Sequence, residues 1–218
     1  MRPLDGIKIV EFGGIGPGPF AGMLLADLGA SVIRLHRHGE KSPIDIGGSG
    51  AEHRSRAGVA VDLKNRRDVD MALRLVDSAD ALIEGFRPGV MERLELGPDR
   101  LLARNPKLVY GRITGYGQDG PLAKTPGHDI NYIAMSGVLS ALAREGERPL
   151  APINLLGDYG GGGMLVAFGV LGALLHAQRT GEGQVVDAAM VDGVAQLATI
   201  VFSFSQAGSW GRAGTNVL

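Results

Sequence analysis

The most restrictive feature of this sequence is a strand, a glycine-rich loop, a helix and a second strand that follow one another near its start. Residues 7–12 (IKIVEF) form a β-branched run, and residues 13–18 contain four glycines. Residues 20–28 predict a helix that stops at Gly29, and residues 31–35 (SVIRL) predict the second strand. Such a βαβ unit requires two parallel strands, with the helix packed on one face of the sheet.

The same alternation continues along the chain. Further extended segments are predicted over residues 58–63, 81–86, 108–113 and 184–188. Helices are predicted over residues 67–79, 90–94, 98–104, 129–142, 155–178 and 192–207. This order favours an α/β fold with a Rossmann-like, doubly wound parallel sheet. Open sheets of this kind bind ligands at the carboxyl ends of their strands.

Composition excludes several classes of function. The chain has 218 residues, a formal net charge of −1 and no cysteine, so it has no basic excess for nucleic acid and no thiol chemistry or cysteine-bound metal. No apolar segment typical of a secretory signal precedes the first strand. The apolar run over residues 164–175 is shorter than the roughly 20 residues that span a bilayer. We therefore expect a cytoplasmic protein with no nucleic-acid or membrane partner.

The first glycine loop matches a dinucleotide-binding fingerprint only in part. Residues 16–21 (GPGPFA) fit G-x-G-x-x-A between a strand and a helix. The second strand, however, ends in His36 and Arg37 instead of the acidic residue that binds the ribose of NAD. The prolines in the loop also lack amide donors for a pyrophosphate. A cation there would suit the 2′-phosphate of NADP or the 3′-phosphate of CoA, and a tight turn without a ligand is the simpler interpretation.

His128 is a candidate acid–base group. It lies in the segment TPGHDIN, where proline and glycine predict a turn and Asp129 or Asn131 can cap the helix that follows. Because the ordinary pKa of histidine lies near neutrality, this side chain suits proton transfer. A surface or capping histidine fits the same context.

Asp158 is the second candidate. It lies where an apolar helix is predicted to begin, and four glycines follow Tyr159. An aspartate in that place is either an N-cap or a catalytic group. The glycines weaken the start of the helix, which suggests that something approaches the backbone there. Gly160 and Gly161 are therefore expected to lie at the helix N-terminus and to offer amides to a developing oxyanion.

Several segments, taken in order, resemble the family III CoA-transferases (CaiB/BaiF). They are residues 3–12 (PLDGIKIVEF), 16–19 (GPGP), 25–30 (LADLGA), 81–89 (ALIEGFRPG), 108–121 (LVYGRITGYGQDGP) and 181–191 (GEGQVVDAAMV). Within that family, residues 127–132 (GHDINY) and 156–158 (LGD) resemble the α-methylacyl-CoA racemase branch. That branch interconverts the R and S forms of 2-methylacyl-CoA thioesters.

The resemblance implies a set of site residues. His128 and Asp158 would act as two acid–base groups on opposite faces of the substrate α-carbon, with no metal and no cofactor, since coenzyme A is part of the substrate. The CoA contacts that it implies are Arg37, Val61, Asp62, Leu63, Lys64, Gly85, Phe86, Arg87, Arg93, Gly127, Asp129, Ile130, Asn131 and Tyr132.

The resemblance also implies an assembly and leaves two alternatives open. Residues 1–200 would form the Rossmann-like CoA-binding large domain, and residues 201–218 would begin a linker toward a small domain that is missing here. An acidic residue from that missing part would orient the histidine, and two chains would interlock as a homodimer. One alternative is a CoA-transferase with Asp158 as the nucleophile. The other is an inactive, truncated CoA-binding domain.

Overall fold

The computed structural model describes residues 1–39, 51–211 and 215. Within these residues the sheet has six strands: β1 (Lys8–Phe12), β2 (Ser31–Arg37), β3 (Ala57–Val61), β4 (Ala81–Glu84), β5 (Val109–Thr114) and β6 (Gln184–Ala189). Every neighbouring pair is parallel, and the spatial order is β3-β2-β1-β4-β5-β6. The predicted Rossmann-like parallel sheet is therefore confirmed.

Helices cover both faces of this sheet. They are α1 (Pro17–Asp27), α2 (Arg66–Asp77), α3 (Val90–Arg93), α4 (Pro98–Arg104), α5 (Asp129–Met135), α6 (Leu165–Thr180), α7 (Met190–Leu197) and α8 (Thr199–Gln206). Short 3₁₀ turns span Ala51–His53 and Val138–Ala141, and a π-helical segment spans Leu155–Met164. Ile9 packs toward α1 and α6, whereas its neighbour Val10 packs toward α2 and α4. Successive strand residues thus serve two separate cores.

Several predicted helices differ from the structure. The helix predicted over residues 129–142 ends early, because Gly137 takes a left-handed conformation with φ of 83° after α5. The helix predicted over residues 192–207 is divided at Ala198 into α7 and α8. The first helix begins at Pro17, earlier than predicted, since proline is tolerated in the first turn of a helix.

The glycines that follow Tyr159 allow α7 and α1 to pack closely against their backbone. A Cβ on Gly161 would lie 2.9 Å from the Met190 carbonyl oxygen in α7, and one on Gly163 would lie 2.7 Å from the Phe20 ring in α1. Both approaches are closer than side chains allow. The prediction that something approaches this backbone is correct, but at these two glycines the approaching elements are α7 and α1.

The long apolar helix is longer than predicted. The π-helical segment and α6 together give 26 residues, Leu155–Thr180, which are long and apolar enough by composition to cross a membrane. The length argument against a membrane span is therefore wrong. Half of the most apolar window is buried, and Val166 and Val170 of α6 lie in the core that packs on the sheet. This packing is that of a core helix in an α/β domain.

Candidate functional site

Many of the predicted CoA contacts share one edge of the sheet. Arg37 is the last residue of β2, Val61 is the last residue of β3, and residues 85–87 directly follow β4. Because the strands are parallel, these positions all lie at their carboxyl ends. The order β3-β2-β1-β4 also reverses direction between β1 and β4, where doubly wound sheets have their ligand crevice.

Side-chain exposure divides this predicted set. The side chains of Val61, Asp129 and Tyr132 are only 2%, 5% and 4% exposed, so they belong to the interior. Four basic side chains that carry charge suited to phosphates are exposed: Arg37, Lys64, Arg87 and Arg93. A phosphate-bearing ligand at this edge would meet those cations, whereas Val61 could offer it only backbone atoms.

His128 lies at the N-cap of α5, and its side chain is exposed. The Asn131 side chain reaches back, and its Oδ1 accepts a hydrogen bond of 2.9 Å from the His128 amide. Of the two predicted capping residues, Asn131 therefore makes this bond, and Asp129 accepts hydrogen bonds from another segment. The bond to Asn131 uses only backbone atoms of His128, so the imidazole is not needed for it.

Of the two alternatives that the sequence left open for Asp158, an N-cap or a catalytic group, the structure excludes the N-cap. The π-helical segment begins three residues earlier, at Leu155, and Asp158 lies within it. The amides of Gly157 and Asp158 donate to Asp129 Oδ2 over 2.5 Å and 2.8 Å. Gly160 and Gly161 lie farther along the segment, so their predicted place at a helix N-terminus is wrong. Interior helix amides are normally used within the helix.

The electrostatic environment of Asp158 suits proton transfer. The pKa of Asp158 is raised to about 6, chiefly by partial burial and to a smaller extent by the negative charge of Asp129. The charge of His128 acts in the opposite direction and lowers the pKa of Asp158. The structure thus places the two predicted acid–base residues close enough for their charges to interact, although 30 positions separate them in the sequence.

Gly16, in the loop after β1, lies next to the Asp158 side chain. Its backbone has φ of 70° and ψ of −117°, a conformation that glycine adopts readily. A Cβ at this position would lie 3.6 Å from Asp158 Oδ2. The loop that resembled a dinucleotide fingerprint therefore forms a tight turn beside the Asp158 carboxylate, and Gly18 already lies within α1.

We expect Gly16→Ala to destabilise the protein. The substituted alanine would have to keep the positive φ of this turn, which costs about 1–3 kcal/mol of the free energy of unfolding. Gly18→Ala is the matched control, because a Cβ there meets no atom within 4 Å and alanine favours the helix. Urea unfolding of both variants measures the difference. Equal stability of the two variants would contradict this interpretation of the turn.

The contacts that hold the residue after Asp158 were not predicted from the sequence. The Tyr159 ring stacks on Phe20 of α1, with ring centroids 4.3 Å apart. Its hydroxyl donates a hydrogen bond of 3.0 Å to Glu52. The turn that contains Glu52 is itself fixed by an ion pair between Arg54 and Asp27 at 2.5 Å. No local sequence signal links these positions, because each contact joins distant parts of the chain.

Buried charges on the central strands were also missed. Glu11 of β1 is fully buried and pairs with Arg56, and Glu84 of β4 pairs with Arg112 of β5 at 3.2 Å. Burial raises the pKa of Glu84 to about 7, and Arg112 acts against that shift. A charged residue inside an otherwise apolar parallel strand is the sequence signal that could have identified them.

Comparison with known proteins gives a consistent result. A model of CoA-transferase family III matches residues 4–215. The chain is 46% identical over 216 residues to the Mus musculus α-methylacyl-CoA racemase, covering 99% of this chain and 55% of that protein. It is 45% identical over 207 residues to the Homo sapiens α-methylacyl-CoA racemase, covering 95% of this chain and 53% of that protein.

A solved structure supports the same relationship. The crystal structure of a Mycobacterium tuberculosis protein aligns with a TM-score of 0.85 at 38% identity, over 95% of this chain and 58% of that chain. The chain therefore spans about half the length of the curated relatives that it matches.

Proposed function

Because this chain belongs to CoA-transferase family III, as its motifs predicted, we propose that it carries the acid–base pair of an α-methylacyl-CoA racemase. The observation that supports this most is the interaction between His128 and Asp158 at one edge of the sheet, with the pKa of Asp158 raised to about 6. Racemisation through an enolate needs one base to remove the α-proton and one acid to return a proton from the opposite face. A carboxyl whose pKa is raised toward neutrality can serve as either the acid or the base.

The pair works with one shared proton. In one state Asp158 holds it and neutral His128 is the base, and in the other state His128 holds it and ionised Asp158 is the base. At pH 7 a carboxyl with a pKa of about 6 is protonated in roughly one molecule in ten, so Asp158 is available both as a proton donor and as a base. A carboxyl with an ordinary pKa would almost never be the proton donor at that pH.

The substrate is proposed to be an acyl-CoA thioester. Exposed cations at the carboxyl edge, Arg37, Lys64, Arg87 and Arg93, carry the charge that CoA phosphates require. Among the described residues, no cluster of three or more histidine, aspartate or glutamate side chains could hold a metal ion. The homodimer and the cytoplasmic location stay predictions from the resemblance and the composition. The division into residues 1–200 and 201–218 likewise stays a prediction.

A second candidate is CoA transfer. The family description names this chemistry, and the half-buried Asp158 carboxylate, mostly ionised at pH 7, would serve as a nucleophile. The exposed His128 beside it favours the racemase, because transfer through an acyl-enzyme intermediate has no evident need of a base there. The inactive CoA-binding domain is the third hypothesis.

One experiment separates the three. The purified protein is incubated with (2R)-2-methylacyl-CoA in D₂O, and α-deuterium content and epimer ratio are followed. We expect deuterium incorporation together with epimerisation. CoA exchange onto a free carboxylate without epimerisation would support the transferase, and CoA binding by a folded protein without turnover would support the inactive domain.

A further inference from the structure

Asp129, the neighbour of His128, is a buried carboxylate with an unusual set of contacts. It is 5% exposed, and its Oδ2 accepts hydrogen bonds from the amides of Gly157 and Asp158. Its Oδ1 is buried and has no hydrogen-bond partner among the described residues. A buried charged group is costly unless its surroundings compensate for the lost hydration. A carboxylate that stays buried despite this cost in free energy is expected to have a specific role.

We infer that Asp129 is a positioning residue for Asp158, holding its backbone against the start of α5 and placing a fixed negative charge beside its side chain. This inference rests on the proposed racemase function only for its consequence in catalysis. Its structural content concerns Asp129 and Asp158 alone and is testable without any substrate.

The geometry ties the two halves of the proposed pair together. His128 and Asp129 are consecutive at the N-terminus of α5, and Gly157 and Asp158 are consecutive in the π-helical segment. One carboxylate oxygen accepts from both amides, so moving the backbone of Gly157 and Asp158 away from Asp129 would break these bonds. Gly157 permits this contact, because a Cβ there would lie 2.9 Å from Asp129 Cγ. The glycine before Asp158 is therefore required by Asp129.

The charge of Asp129 acts on Asp158 directly. The titratable groups at α5 that interact electrostatically with Asp158 are His128, Asp129 and Tyr132. Within the π-helical segment itself, Tyr159 also interacts with Asp158. The loop after β1 contributes Gly16, which carries no charge. Of these groups, Asp129 raises the pKa of Asp158 and His128 lowers it. Removing the Asp129 charge therefore moves the Asp158 titration toward acid.

Two variants separate charge from hydrogen bonding. In Asp129→Asn the side-chain carbonyl still accepts from both amides, whereas in Asp129→Ala the acceptor is lost. We measure the Asp158 carboxyl titration by ¹³C NMR of the chain, assigned with Asp158→Asn, and the hydrogen exchange of the Gly157 and Asp158 amides. The exposed Asp119→Asn is the matched control.

We expect the titration midpoint of Asp158 to fall by about 1 pH unit in Asp129→Asn, with both amides still protected. In Asp129→Ala, exchange of the two amides should accelerate about tenfold or more. An unchanged midpoint in Asp129→Asn, or unchanged protection in a folded Asp129→Ala, would overturn the inference. If Asp129→Ala does not fold, Asp129→Asn alone decides it.

The effect of Asp129 on catalysis is measured separately, through the pH dependence of epimerisation. Below its titration midpoint Asp158 is protonated and is no longer a base, so the rate falls on the acid side in the direction of epimerisation in which Asp158 removes the α-proton. That acid limb should move to lower pH in Asp129→Asn by the same amount as the NMR midpoint, a shift that a purely structural role would not produce. If the wild-type protein does not epimerise, the racemase proposal fails, and the NMR result still decides the role of Asp129.

Discussion

Replacement of His128 by alanine should slow epimerisation severely while leaving CoA affinity and protein stability nearly unchanged. A positioned general acid or base contributes about 10²–10⁴-fold to a rate, so we expect a loss of that size in the rate of epimerisation. The fold should persist because the imidazole is exposed and the cap of α5 uses the backbone amide of His128 with Asn131 Oδ1. Epimerisation is followed by the epimer ratio, and CoA binding by calorimetry.

The control for this prediction is His176→Ala. His176 is an exposed histidine on α6, and the bond that it makes with Thr180 uses its backbone carbonyl. Its loss should affect neither activity nor affinity. If His128→Ala instead weakens CoA binding as much as it slows epimerisation, His128 acts by shaping the binding surface. Loss of folding in that variant would contradict the exposed position of the side chain.

The sheet was predictable because its signals are local. The β-branched run of β1 and the glycine stop after α1 each depend on residues close in sequence. The doubly wound parallel arrangement then follows from the alternation of strands and helices and the right-handed crossovers that join parallel strands. Predicted and observed strands agree within a few residues, from β1 (Lys8–Phe12) to β6 (Gln184–Ala189). The carboxyl edge, and with it the position of Arg37 and Arg87, followed from the same reasoning.

The candidate site was only partly predictable because its contacts are not local. Asp129 and Gly157 are 28 residues apart, and Tyr159 and Glu52 are 107 apart. Spacing in the sequence carries no information about such pairs. The four glycines after Tyr159 gave a real signal, but two physical causes produce it equally: a ligand near the backbone, or another helix. At Gly161 and Gly163, packing against α7 and α1 is the cause.

Asp158→Asn should greatly slow epimerisation but leave the exchange of the α-proton intact for one of the two enantiomers. If His128 and Asp158 serve opposite faces of the α-carbon, His128 alone still removes the α-proton of one enantiomer. The imidazolium exchanges that proton with D₂O and then returns a deuteron to the same face of the α-carbon. We expect α-deuterium to enter one enantiomer of 2-methylacyl-CoA in D₂O with retention of configuration, while epimerisation falls by about 10²–10⁴-fold. His128→Ala should show the complementary behaviour with the other enantiomer.

The same variant also separates racemase from transferase chemistry. If Asp158 were a nucleophile, the wild-type protein would gain the mass of the acyl group on incubation with acyl-CoA, and Asp158→Asn would not. A two-base racemase forms no such adduct, because the carboxyl only exchanges a proton with the substrate. Asp99→Asn on α4 is the control, since that exposed carboxylate lies on the other face of the sheet. Exchange of both enantiomers by Asp158→Asn would contradict the two-face assignment and leave His128 as the base for both.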